Sequence, residues 1–246
     1  MRITILSFVI SIFILFFSCS KENGAADSVT SGKGGSLARF TTVGNYLYIA
    51  DHSGINVFDI NDPMKIEKKG NVWVGFGIET IFPYKDKLFI GSVDGMYIYS
   101  LENPVQPKKL GEARHLRSCD PVVANDSMAY VTLRGGNRCG PATDGLYTYN
   151  ITNITAPAQK SLLPLTNPYG LGLVDTVVFV CRGNNGLTAV DVKQSQSPKQ
   201  MYTLKDADYF DVIPYDKLLI CYVNTGILLY DVSNLKQPVK MGSYQY

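Results

Sequence analysis

The sequence predicts an all-β fold, a five-bladed β-propeller with four antiparallel strands per blade. Three observations lead there. A unit of about 40 residues recurs five times, short apolar runs alternate with turns rich in Gly, Asn, Asp and Pro, and no helical period survives beyond the first 18 residues. Sixteen Tyr and eleven Phe against a single Trp also favour strands.

Each unit has a glycine-led segment that runs into a turn: GINVFDINDP from Gly54, GMYIYSLENP from Gly95, GLYTYNITNI from Gly145, GLTAVDVKQS from Gly186 and GILLYDVSNL from Gly226. The glycines are 41, 50, 41 and 40 residues apart. A second apolar run precedes each segment (YLYIAD, KLFIGS, MAYVTL, VVFVCR, LLICYV), and a third precedes that (ARFTTV, IETIFP, DPVVAN, YGLGLV, YFDVIP). A fourth, weaker run closes the unit, as in KKLGEA and VKMGSY. Four short strands per unit make a propeller blade. The runs are nearly continuous rather than alternating, as expected of sheets covered on both faces by neighbouring blades.

Residues 37–246 divide into five units of about 42 residues. The chain enters at the first strand of blade 1 and leaves after the fourth strand of blade 5. No strand is left over to complete a blade from the other terminus, so the expectation is a ring closed by side-chain packing of blade 5 on blade 1.

GINVFDINDP and GILLYDVSN resemble the LVIVD repeat of bacterial surface and periplasmic propellers. The resemblance runs from Leu37 to Tyr246 and implies a propeller fold and an envelope location; it implies no reaction. Ser100 and Asn150 stand where the motif has aspartate.

Residues 1–18 read as a lipoprotein signal peptide. Arg2 supplies the positive start, and Ile3–Phe17 form an apolar run interrupted only by Thr4, Ser7 and Ser11. A spanning helix needs about 20 apolar residues, whereas a signal-peptide core needs roughly 7–15. Ser18 followed by Cys19 resembles a lipobox, which implies a lipid on Cys19; Phe16 and Phe17 depart from the usual Leu and small residue. Residues 19–36, rich in Gly and Ser, form a flexible tether with a reach of roughly 20–25 Å. The propeller, residues 37–246, is thereby expected on an outer membrane, on its periplasmic or its exterior face.

The bulk numbers narrow the function. Net charge is +2, from 23 basic and 21 acidic residues mixed along the chain, so no basic stripe points to nucleic acid. With two histidines and no Cys-x-x-Cys, nothing calls for a metal or a cofactor. No nucleophile elbow, dinucleotide fingerprint or phosphate loop is present. The expected unit is a monomer.

In a four-stranded meander, the loop between strands two and three shares its face with the connection to the next blade. That rule places Glu79, His115, Arg117, Asp120, Arg134, Arg138, Arg182 and Asp208 on one face of the ring. Cys119 and Cys139 fall on it too, at the two ends of the stretch Ser118–Gly140, whose extra residues explain the 50-residue spacing. In an exported protein these two cysteines are expected to form a disulfide that staples the enlarged loop. Cys181 and Cys221, placed in equivalent positions of blades 4 and 5, read as buried free thiols.

Two functions fit. The first is a binding or scaffolding module that presents this face to an envelope protein, peptide or glycan. The second is a carbohydrate-active or other hydrolase in which Glu79 and Asp120 serve as acid and base, a pair roughly 5–9.5 Å apart in glycosidases.

Overall fold

The computed structural model describes residues 34–118, 121–136 and 140–246. The stretches expected to be a signal peptide, a lipidation site at Cys19 and most of the tether lie outside the described residues. So do Cys119, Asp120, Arg138 and Cys139.

Among the described residues, twenty strands form five four-stranded sheets. Blade 1 holds β1 (Phe40–Val43), β2 (Tyr46–Ala50), β3 (Gly54–Asp59) and β4 (Glu67–Trp73). Blade 2 holds β5 (Ile78–Tyr84), β6 (Lys87–Ser92), β7 (Gly95–Ser100) and β8 (Lys108–Arg114). Blade 3 holds β9 (Val122–Ala124), β10 (Met128–Leu133), β11 (Gly145–Asn150) and β12 (Ala158–Pro164). Blade 4 holds β13 (Leu171–Val174), β14 (Val177–Cys181), β15 (Leu187–Asp191) and β16 (Lys199–Leu204). Blade 5 holds β17 (Tyr209–Tyr215), β18 (Leu218–Val223), β19 (Gly226–Asp231) and β20 (Val239–Gln245). Every sheet is a meander in sequence order, as the repeat predicts. No helix among the described residues is long and apolar enough to cross a membrane.

The repeat's invariant features have local causes. A Cβ on the leading glycine of each third strand would sit 2.0–2.7 Å from a carbonyl oxygen of the fourth: that of Val72, Ala113, Leu163, Leu204 or Tyr244. Only glycine permits that approach. At the other end of the strand, a side-chain oxygen accepts the N–H two residues on and starts the turn. Asp59, Asp191 and Asp231 make this bond at 2.9, 2.9 and 2.7 Å. Ser100 and Asn150 make the same bond at 3.1 and 3.0 Å, so the two departures from the motif preserve its mechanics. A bulge follows at the same register between the third and fourth strands of all five blades.

Apolar side chains from facing sheets meet in clusters between consecutive blades. Val57 packs with Leu88 and Ile90 between blades 1 and 2, and Phe89 and Ile98 pack with Val131 between blades 2 and 3. Leu146 packs with Val178 and Val180 between blades 3 and 4, and Phe179 and Ala189 pack with Leu219 between blades 4 and 5. Cys181 and Cys221 are buried and free, as expected, but they are one residue out of step: Cys181 pairs with Leu187, whereas Cys221 pairs with Leu228. They therefore point from opposite sides into the same cluster between blades 4 and 5. Burial raises both thiols, that of Cys221 to about 12, which keeps them protonated and inert.

Closure of the ring is corrected by the structure. Among the described residues no buried cluster joins blade 5 to blade 1, so five blades share four apolar interfaces. The face of blade 1 that would meet blade 5 holds Phe40, 64% exposed, with Leu47, Ile49 and Phe58 half-buried. The opposing face of blade 5 holds Tyr222 and Ile227, 51% and 36% exposed, with Ile220 and Leu229 half-buried. The matching positions in blade 2, Phe89, Met96 and Ile98, are fully buried. What links blade 5 to the start of the chain is the segment ahead of β1. There the buried Ser36 hydroxyl donates to Asp211 at 3.3 Å and accepts the Leu171 N–H at 2.7 Å. The repeat counts the blades; the filled interfaces set the angle between them, and four such steps leave the circle open.

Candidate functional site

The face selected from the sequence carries a pocket of about 270 Å³ at the mouth of the central channel. Its lining comes from four parts of the chain: Leu37 ahead of β1, Glu79 and Thr80 of blade 2, Pro121 and Arg134 of blade 3, and Pro168 and Tyr169 ahead of β13. Glu79 reaches the mouth because β5 opens on a bulge. Ile78 and Thr80 pair with successive residues of β6, and the extra residue between them is turned out of the ladder. Arg134 leaves the end of β10 and stacks its guanidinium 4.0 Å from the centre of the Tyr169 ring. Tyr169 is fixed from behind by an edge-to-face contact with Phe210 at 5.3 Å, and its carbonyl accepts the Thr132 hydroxyl at 2.6 Å.

Of the other residues singled out from the sequence, the structure sends several elsewhere. Arg182 turns onto its own blade, donating to the Thr166 carbonyl at 3.1 Å and the Thr188 hydroxyl at 3.2 Å, and burial lowers its pKa. His115 keeps its Nδ1 2.7 Å from the Leu116 carbonyl and 3.3 Å from the Ser118 hydroxyl. Asp208 lies half-buried in the connection to blade 5, where its carbonyl accepts the Asn224 N–H at 3.1 Å. Arg117 lies against the base of the enlarged loop: a Cβ on Gly140 would come 2.3 Å from its carbonyl oxygen. That base is closed by paired backbone bonds between Gly136 and Gly140, both 2.8 Å. Among the described residues no group of three or more His, Cys, Asp and Glu side chains could hold a metal ion.

Two acids of blade 5 are shifted in opposite directions. Burial raises Asp211 to about 6, against the bonds from Val212, Leu37 and Ser36 that favour its charge. Burial pushes Asp206 up as well, but hydrogen bonds from Tyr209 and Tyr230, both 2.6 Å, and from Lys240 at 3.1 Å outweigh it and bring the carboxyl down to about 2. Both acids are committed to the fold.

Sequence reasoning missed the aromatic surface of this face. Trp73, at the end of β4, and Phe76, in the connection to blade 2, are 65% and 78% exposed and meet edge to face at 6.2 Å. Leu116, in the next connection, is also exposed. The face rule places all three positions; their exposure was not legible, because an apolar residue beside a strand reads as core. A larger cleft of about 620 Å³ lies at the outer rim between blades 1 and 2, bordered by Trp73, Tyr99 and Lys108. It is the splay between two outer strands and gathers none of the residues singled out from the sequence.

Residues 34–74, which comprise the whole of blade 1, match the LVIVD repeat. Blade 1 thus carries the LVIVD repeat, and the chain folds as a five-bladed propeller. No curated protein matches it. Among solved structures, the chain is similar to a functionally unknown protein from Desulfotomaculum acetoxidans, with a TM-score of 0.66 and 11% identity over 82% of this chain and 66% of that one. A protein from Lactobacillus plantarum gives 0.63 and 12%, covering 82% and 68% of the two chains. A hypothetical selenium-binding protein from Sulfolobus tokodaii gives 0.57 and 11%, covering 82% and 59%. The chain thus spans about two thirds or less of the length of these structures, and at such identity the likeness shows the fold alone.

Proposed function

We propose that this LVIVD propeller is a lipid-anchored binding module of a bacterial envelope, docking a protein, peptide or glycan on the face that bears the mouth pocket. The observation that supports this reading is the set of side chains gathered there. The exposed Trp73–Phe76 pair and the Arg134–Tyr169 stack belong to the residue types that carry most binding energy at interfaces. Glu79 and Arg134 add opposite charges to a pocket otherwise walled by Leu37, Pro121 and Pro168. The anchor is the lipid on Cys19, with residues 19–36 as tether. The Cys119–Cys139 disulfide belongs to the same proposal; in its support, Arg117 and Gly140, each within two residues of one of the cysteines, abut. The hydrolase alternative needs Asp120 opposite Glu79, and Asp120 lies outside the described residues.

The test is a screen of the mature chain against envelope proteins and glycans, repeated with Trp73→Ala and Arg134→Ala. A saturable ligand is expected, with affinity reduced about tenfold or more in each variant. Absence of any saturable ligand, or affinity unchanged in both variants, refutes the proposal.

A further inference from the structure

The channel at the centre of the ring has two ends, and one short segment of the chain reaches both. The first strands of the blades all run away from the mouth, so Tyr84 at the end of β5, Asn125 beyond β9 and Asp175 beyond β13 mark the far end. These residues border a second cavity of about 370 Å³, with Leu173 and Pro214 on its walls. Gly34 lines this far cavity, whereas Leu37 lines the mouth pocket. Between the two, the chain climbs the channel against the direction of the first strands. It turns at Ser36 and Leu37 and comes back down as β1.

The climb is held by specific contacts. A Cβ on Gly35 would lie 2.0 Å from one oxygen of Asp211, and a Cβ on Gly170 would lie 2.2 Å from the other. Only glycine at both positions lets the chain pass so close to the carboxylate. The Ser36 hydroxyl bonds Asp211 and the Leu171 N–H, and Ser36 is buried. The Ala38 N–H donates to the Gly35 carbonyl at 3.0 Å, which closes the turn, and the Ala38 carbonyl accepts the Ile81 N–H at 2.9 Å. The segment is thereby fastened to blades 2, 4 and 5 at once.

We infer that the chain preceding Gly34 leaves the propeller through the far end of the channel, so that the mouth pocket is presented away from whatever holds the N-terminus. Lys33 is one peptide bond from Gly34, and the far cavity is the space into which Gly34 opens. A flexible tether of residues 19–33 has a reach of roughly 20 Å, about the length of a seven-residue strand such as β5, and does not carry the mouth back round to the anchoring surface. The consequence for the partner rests on the lipid anchor proposed above. With that anchor, the bilayer lies on the side of the turns between first and second strands, and Trp73, Phe76 and Arg134 face the aqueous side. The partner of the mouth is then a macromolecule that approaches from solution, and not a lipid of the anchoring membrane.

The experiment places a photo-crosslinking p-benzoylphenylalanine at position 33, and separately at position 31, of the purified mature chain and maps the adducts by mass spectrometry. The expected result is an intrachain adduct to the far end of the channel, at Tyr84, Asn125, Asp175 or Pro214. An adduct to Glu79, Arg134 or Tyr169 overturns the inference, as does no intrachain adduct from either position. Orientation is read from Trp73, the sole tryptophan, with the lipidated chain on phosphatidylcholine vesicles that carry a nitroxide on the headgroup. Its fluorescence is expected to be quenched at least about twofold less than that of a Trp73→Phe, Tyr215→Trp variant, whose tryptophan reports from the far face. Equal quenching, or stronger quenching of Trp73, overturns the presentation of the mouth toward solution. A chain that the vesicles do not retain overturns the lipid anchor, and the crosslink alone then decides the path through the channel.

Discussion

Blades 2 to 4 and the two end blades are built from one repeat, yet they live in different environments. In blade 2 both faces of β6 and β7 are covered, and five of the six residues in β6 and all six in β7 are buried. In blade 5 the equivalent strands β18 and β19 alternate between buried and partly exposed positions. The side chains scarcely differ: Phe89, Met96 and Ile98 in one blade, Ile220, Ile227 and Leu229 in the other. Burial in this fold is conferred by the next blade rather than by the residue, and the end blades show what a blade is without one.

The largest test of this contrast substitutes a glycine that the fourth strands of blades 2 and 5 share. Gly111→Val drives a side chain into the Ile154 carbonyl and is expected to cost about 3 kcal/mol or more, read from urea unfolding. Gly242→Val, at the same register in blade 5, is expected to stay within about 0.5 kcal/mol. Equal costs would mean that the last interface is closed after all.

Core truncation gives the next largest effect. Phe89→Ala removes a fully buried ring between blades 2 and 3 and is expected to lower stability by about 3–5 kcal/mol. Ile220→Ala, its counterpart on the open face, should cost only about 1 kcal/mol.

The two acids of blade 5 sharpen the comparison, since they are shifted in opposite directions. Asp206 serves the closed side through Tyr209 and Tyr230, and Asp206→Asn should cost about 1–2 kcal/mol at neutral pH. Its carboxyl is held below the unfolded value near 3.9, so its contribution is present above pH 4 and is lost as pH falls toward 2. Asp211, whose carboxylate is buried against Ser36 and Gly170, is raised to about 6, so the folded protein holds its proton more tightly than the unfolded chain does. Stability from this group is therefore highest below pH 4 and declines as pH rises from about 4 to 6. Asp211→Asn should flatten that part of the profile, the smallest effect of the set. Melting temperatures measured from pH 2 to 7 check both signs.

Much of this architecture was legible in the sequence. The glycine-led segments mark third strands because only glycine tolerates the carbonyl of the fourth, and the side-chain oxygen five residues on marks the turn. Face assignment followed from alternation of the loops, and it brought Glu79 and Arg134 to one pocket. Other features were hidden for physical reasons. A one-residue bulge turns Glu79 outward, and apolar spacing carries no sign of it. The same spacing left Cys221 a residue away from its true register, which changes the face it points to. Arg182 reads as a free cation until Thr166 and Thr188 are seen to hold it. Closure was the costliest omission, because the angle between blades depends on side-chain volume across each interface, and the period of the repeat is blind to it.

The central claim is that blade 5 lacks a covering neighbour, and hydroxyl-radical footprinting of the purified chain tests it most directly. Tyr222 stands within the open face, Tyr97 is buried between blades 1 and 2, and Tyr246 is freely exposed at the C-terminus. The open ring predicts that Tyr222 is modified at a rate close to that of Tyr246 and well above that of Tyr97. A Tyr222 as protected as Tyr97 would contradict it and restore a ring closed by blade 5 on blade 1.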